Sequence, residues 1–235
     1  MNFLQLCQAV REGAGISGTG PTSVVNQSGE MLRVVNWVKS AWNDLQLWHD
    51  QWTFMRGSFR IDTVVGQRAY PYASAIDVDS GLAISSFDGW LTDEDEITVY
   101  LLSEGKASEG WLSEIDYPSF TVSYEFAGND AITGRPSVFS IRPEDRALLL
   151  AVKPDGVYRV TGKYRKGLQA LAVNDDEPRI PAEFHPAIVH RALVKYALYE
   201  NAGETLASAR SDFGMYLSRM EDRFLPPMGF GRPLA

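Results

Sequence analysis

Within Trp52-Thr53-Phe54-Met55-Arg56-Gly57-Ser58-Phe59-Arg60-Ile61-Asp62-Thr63 the chain changes its hydrophobic period. Phe59, Ile61 and Thr63 alternate with Ser58, Arg60 and Asp62, which places the two sets on opposite faces of a strand. Before this stretch, Met31, Val34, Val35, Val38, Trp42 and Leu45 recur at the spacing of one helix face and predict a helix from Gly29 to about His49. After it, Val64-Val65-Gly66-Gln67 turns into Arg68-Ala69-Tyr70-Pro71-Tyr72, and further strands are expected at Ile97–Leu102, Ser137–Arg142, Ala147–Val152 and Val157–Arg165. Turn signals at Pro143-Glu144-Asp145 and Pro154-Asp155-Gly156 separate the last three, which read as a meander of antiparallel hairpins. Residues 113–127 leave two assignments open, since Pro118 suits a helix start while Thr121-Val122-Ser123-Tyr124 alternates like a strand.

Both ends of the chain are helical in pattern. Phe3, Leu6, Cys7 and Val10 fall at i, i+3, i+4 and i+7, with Asn2 as an N-cap and Gly13 and Gly15 as stops, so a helix is expected over 3–13. Near the other end, Ile188, Val189, Ala192, Leu193, Tyr196 and Ala197 form one apolar face, Asn201-Ala202-Gly203-Glu204 interrupts it, and Leu206, Ala209, Phe213, Tyr216, Leu217, Met220 and Phe224 form another. That is a helical hairpin, closed by Pro226-Pro227. The expected class is α+β: helices over 1–56, an antiparallel β-rich domain over 57–181, a helical hairpin over 182–225 and an extended, flexible tail over 226–235, with the two helical ends packing as one domain.

The 235 residues carry 22 Lys plus Arg against 30 Asp plus Glu, a net charge of −8 and a pI near 4.9. Residues 57–181 hold 20 acids and 12 bases and so account for the whole excess, which argues against general adhesion to nucleic acid or anionic lipid. No apolar run approaches the ~20 residues of a membrane span. The opening Met1-Asn2-Phe3-Leu4-Gln5 lacks the basic lead and apolar run of a secretory signal, which points to the cytosol. The single cysteine, Cys7, excludes an internal disulfide or a Cys-based zinc cluster.

The residues that could carry chemistry do not assemble into a site. Gly13, Gly15 and Gly18 spell G-x-G-x-x-G, but a dinucleotide site needs a strand before the glycines and a helix after them, the reverse of the order here. Asp93-Glu94-Asp95-Glu96 lacks the spacing of a Ca²⁺ loop and reads as a solvated turn. His185 and His190 lie five apart, not at the four-residue spacing with an intervening Glu that binds zinc. With no nucleophile elbow either, the expectation is no enzyme, no cofactor and no metal. What stands out is aromatic: Trp37, Trp42 and Trp48 on one helix exceed the needs of a single face. They predict either a broad core contact with the β-domain or a subunit interface on a second side. Met228, Phe230, Arg232 and Leu234 make the tail a candidate partner-binding peptide. A carbohydrate-binding β-domain using exposed Trp90, Trp111 and Tyr117 is the alternative.

The order of helices, acidic β-domain, helical hairpin and tail resembles the head-to-tail adaptor proteins of tailed bacteriophages, of the tail tubular protein A type. The resemblance is carried by Phe3-Leu4-Gln5-Leu6-Cys7 leading to Gly15-Ile16-Ser17-Gly18-Thr19-Gly20-Pro21, by Arg33-Val34-Val35-Asn36-Trp37-Val38, by Phe59-Arg60-Ile61-Asp62-Thr63-Val64-Val65-Gly66-Gln67, and by Ile180-Pro181-Ala182-Glu183-Phe184-His185-Pro186. Residues 73–135 contribute little to it. It implies a structural protein of the virion, assembled in the host cytoplasm, that forms a homo-oligomeric ring, commonly of twelve copies. The ring would lie between the portal and a downstream tail or nozzle protein, with the genomic DNA passing through its lumen.

Overall fold

The computed structural model describes residues 1–92, 97–126 and 131–226. The α-helices are α1 (Phe3–Gly13), α2 (Gly29–Gln46), the short α3 (Tyr117–Phe120), α4 (His185–Glu200) and α5 (Gly203–Phe224). The strands are β1 (Arg56–Asp62), β2 (Ala69–Tyr70), β3 (Ile76–Asp77), β4 (Gly89–Leu91), β5 (Thr98–Leu101), β6 (Gly110–Trp111), β7 (Ser113–Glu114), β8 (Thr133–Gly134), β9 (Val138–Ile141), β10 (Leu148–Leu150), β11 (Lys153–Pro154) and β12 (Tyr158–Arg165). The class is α+β, as the periodicities predicted. Two compact units result, one of Met1–Met55 with the chain from Leu168 onward, the other of Arg56–Gly167.

In the helical unit the apolar stripes of α1, α2, α4 and α5 enclose one core that includes Phe3, Leu6, Trp42, Leu45, Ile188 and Met220. Asn2 caps α1 reciprocally with Gln5, as its position predicted. Asn201 ends α4 in the left-handed region at φ 56°, and α5 begins two residues later, so the interruption read at Asn201–Glu204 is a tight interhelical turn. Asp44 of α2 ties α4 by accepting from Arg191 Nη2 at 2.7 Å and pairing with Lys195 Nζ at 2.8 Å. Partial burial works to raise this carboxyl's pKa, but the two cations outweigh it and hold the group below the usual carboxylate range.

Residues 168–181 correct the expected β-domain boundary, because they pack with the helices. Gln169 N donates to Gln46 Oε1 at 2.7 Å, Asn174 Oδ1 accepts from Val24 N at 2.8 Å, and Leu171 and Ile180 are buried in the helical core. The carbonyls of Asp176 and Asn174 accept from Phe3 N and Leu4 N, at 2.8 and 3.1 Å, satisfying amides of the first turn of α1 that no helical partner can reach. The acids Asp175, Asp176 and Glu177 therefore belong to the helical unit. Counted by structural unit, Arg56–Gly167 carries 17 acids and 12 bases, a charge of −5, and the rest of the chain carries −3.

In the β unit, β12 is the organising strand. It pairs antiparallel with β1 over its whole length, from Arg56↔Arg165 to Asp62↔Arg159, and on its other side with β5 and β4. The sheet runs β3-β1-β12-β5-β6, with β4 beside β5 along β12. The expected meander is therefore only half right. β9 and β10 form an antiparallel pair within a second sheet, β2-β10-β9-β7, but after Pro154-Asp155-Gly156 the chain leaves it and β12 joins β1, roughly a hundred residues away in sequence, and β5 and β4, about 60–75 residues away. Two pairings, β7 with β9 and β8 with β11, are parallel, so the unit is mainly rather than wholly antiparallel. The unbroken apolar run of β10 has a simple cause. Leu148 and Leu150 enter the main β core, while Leu149 and Ala151 bury against Phe120 on the opposite face. The ambiguous 113–127 region holds β7, then α3 with Asp116 capping through Ser119 N at 3.0 Å and Pro118 in the first turn, then one π-helical segment, Thr121–Phe126.

Candidate interaction surfaces

Aromatic side chains in the helical unit divide into those that make its core and those that reach its surface. Trp42 and Trp52 are fully buried, and Phe54 stacks on both, with centroids 6.5 and 5.3 Å away. Trp42 therefore corrects one expectation: it is core, and cannot present itself to a second subunit. Trp37 is half-buried against Tyr196 and Tyr199 of α4, with centroids at 5.6 and 5.7 Å. Trp48 lies just past the end of α2, 41% exposed, with one edge on Phe213 and the Arg191 guanidinium 5.6 Å from its ring.

Two exposed apolar surfaces follow. One is the end of α2, where Leu47 is 64% exposed beside Trp48. The other is the last turn of α4, where Leu198 and Tyr199 are exposed and the Arg33 guanidinium lies 4.9 Å from the Tyr199 ring. Sequence reasoning missed Leu47, Leu198 and Tyr199. Their signal was available, since Leu198 and Tyr199 are apolar residues off the stripe that runs from Ile188 to Ala197. Adjoining the end of α2, His49 Nε2 lies 2.8 Å from Glu221 Oε1, and these two line a groove of about 440 Å³ with Asp50, Gln51, Asp222, Leu225 and Pro226. Pro226 is the last described residue; Met228, Phe230, Arg232 and Leu234 lie outside the described residues, as does the acidic run Asp93–Glu96.

The groups first weighed for chemistry are occupied structurally. His185 is buried, its Nδ1 2.6 Å from the Met1 amino group and its Nε2 3.0 Å from the Ile180 carbonyl, and burial lowers its pKa. His190 stacks on Tyr216 and faces Asp212 Oδ2 at 3.7 Å, so the two histidines serve different neighbours. Burial pushes the Cys7 thiol up to about 12, which makes it an apolar core group. Gly13 closes α1, and the loop after it carries Gly15 and Gly18 at φ 66° and 99° with no helix following at once. Among the described residues no cluster of three or more His, Cys, Asp or Glu has metal-binding geometry.

The alternative carbohydrate surface also needs correction. Trp90 is buried, its Nε1 donating to the Arg146 carbonyl at 2.7 Å and its ring 4.5 Å from that of Phe59. Tyr117 is half-buried, and only Trp111 of the three is well exposed.

No helix among the described residues is long and apolar enough to cross a membrane. No curated protein matches the chain. The model of the SU10 adaptor protein family matches residues 1–228, and so takes in both helical ends and residues 73–135, where the sequence resemblance was thinnest. Such membership implies a phage adaptor, a structural component of the virion rather than an enzyme, and one that associates with portal and tail proteins. The chain belongs to the SU10 adaptor protein family.

Proposed function

We propose that copies of this chain form a ring of twelve beneath the phage portal, acting as a head-to-tail adaptor of the tail tubular protein A kind. The ring bounds part of the DNA exit channel and receives a downstream tail or nozzle protein. The observation that carries this is the family match over residues 1–228. The exposed apolar surfaces support it. A closed ring needs heterologous contacts between unlike patches, and the helical unit offers two such patches, Leu47 with Trp48 and Leu198 with Tyr199. The tail residues Met228, Phe230, Arg232 and Leu234 add a peptide that docks on the portal or a neighbouring subunit.

The lumen is expected to repel rather than hold phosphate, since both units are net acidic and DNA must pass without sticking. Electron-microscopic imaging of the chain assembled on its portal tests this part. A ring whose lumen-facing residues are mostly acidic or neutral supports the conduit; a lumen dominated by Lys and Arg contradicts it. Deleting residues 227–235 tests the tail, with the monomer's thermal unfolding expected to stay unchanged while attachment to the portal weakens. Undiminished attachment contradicts the tail's role.

A further inference from the structure

The main sheet of the β unit has a second face, turned away from its core, and that face is unlike the rest of the chain. The pairing register sets Arg60, Thr161, Thr98 and Trp111 in one row across β1, β12, β5 and β6, with Arg159 and Tyr100 in the next row. These residues line a groove of about 470 Å³ together with Lys106 and Lys163. Among the described residues four cations and no carboxylate line it, in a chain whose net charge is −8. Two carboxylates meet its lining at the rim: Asp62 holds Arg159 through a bidentate pair at 2.6 and 2.7 Å, and Glu109 accepts from Thr98 Oγ1 at 2.7 Å. Trp111 is 67% exposed, Val78 and Lys106 are exposed on the walls, and Arg60 keeps a buried Nε with no hydrogen-bond partner among the described residues.

We infer that this groove is an interaction surface for an acidic surface of a second copy of the chain. The inference rests on the proposed ring and names one of its contacts. Three features select that occupant. A ring contact must join two unlike surfaces, and a cationic groove on an otherwise acidic chain finds its complement on any neighbouring copy. Trp111 gives the contact an aromatic anchor amid the charges, the composition of a protein interface core with an Arg-rich surround. A nucleic-acid backbone is disfavoured because Asp62 already neutralises Arg159, which leaves the groove few cations against the row of phosphates a strand presents, whereas an acidic protein surface can also bury Trp111.

The test uses the full chain. Self-association is measured by sedimentation at low and high salt for the wild type, for Trp111→Ala, and for Lys106→Glu combined with Arg60→Glu. Because Arg60 is half-buried, Lys106→Glu alone serves as the second variant, and unfolding temperature checks that each remains folded. The expected result is association that weakens about tenfold or more in the charge-reversed variants and in high salt, as partly exposed ion pairs require, and that also weakens in Trp111→Ala. Association equal to wild type in all variants overturns the inference, as does a wild-type chain that stays monomeric at every concentration. Capture of a short DNA duplex through Arg60 and Lys106, with self-association untouched, overturns it in favour of nucleic acid. Joining the same variants to the portal keeps the two levels apart: a variant that still builds a complete ring there removes this contact and leaves the adaptor standing, whereas a wild type that never joins the portal removes the adaptor.

Discussion

The helical unit and the β unit are held by interactions of different range. In the helical unit each element announces itself locally, because Phe3-Leu6-Cys7-Val10 or Ile188-Val189-Ala192 already forms the stripe that enters the core. In the β unit the decisive contact is β12 with β1, which joins Tyr158–Arg165 to Arg56–Asp62 and cannot be seen in any short window. Alternation told which residues face inward but not which strand lies alongside. A unit built by stripes is specified element by element, while one built by register depends on inward-facing patterns staying matched between strands far apart in sequence.

The largest expected effect separates the units most sharply. Trp42→Ala empties a fully buried indole site beneath Phe54 and should cost the helical unit about 3–5 kcal/mol, read as a lower denaturant midpoint by helix circular dichroism. An unchanged midpoint would mean that Trp42 is not core, and would reopen it as an interface residue.

Next in size is a buried polar contact of the β unit. Tyr164 Oη donates to Asp77 Oδ2 at 2.6 Å, joining β12 to β3, and Ser80 N donates to Asp77 Oδ1 at 2.8 Å. Burial acts to raise the Asp77 pKa, but these bonds prevail and hold it below its ordinary value. A carboxyl depressed in the folded state stabilises above its unfolded pKa of about 3.9 and loses that contribution as pH falls through the folded value. Tyr164→Phe should therefore cost about 1.5–3 kcal/mol near neutral pH, and the gap from wild type should close as the pH drops below about 4. A gap constant down to pH 2 would show that the hydroxyl, not the carboxylate charge, is what matters.

The smallest effect probes local encoding in the helical unit. Asn201 holds φ 56° between α4 and α5, so Asn201→Ala should cost about 1–2 kcal/mol and Asn201→Gly much less. Equal losses from both would mean that the Asn side chain itself, rather than the backbone conformation, closes the turn.

These contrasts explain how far the sequence could be read. Helix α1 was legible to the residue, because Asn2 and Gly13 bracket a clean stripe. The longer strands β1, β5, β9, β10 and β12 were legible too, while short ones such as β3, β4 and β6 were not, and placing β12 beside β10 was wrong because its pairing with β1 over roughly a hundred residues leaves no trace in local pattern. Charge misled at 168–181: the acids there made the segment look like the middle domain, although Asp176 and Asn174 serve the first turn of α1. Of the candidate surface, Trp48 was readable as an aromatic beyond the needs of one face, while Trp42 looked the same in sequence and proved internal. The cationic sheet face was hidden because Arg60, Lys106, Arg159 and Lys163 are scattered over about a hundred residues of net-acidic sequence and meet only through the register.

The mass of the complex formed when the full chain is mixed with its portal, measured by native mass spectrometry, bears on the adaptor assignment itself. The account predicts a single complex in which twelve copies of the chain are bound per portal ring, at stoichiometry independent of excess chain. Free portal beside unbound monomer, at concentrations where the virion assembles, would contradict it.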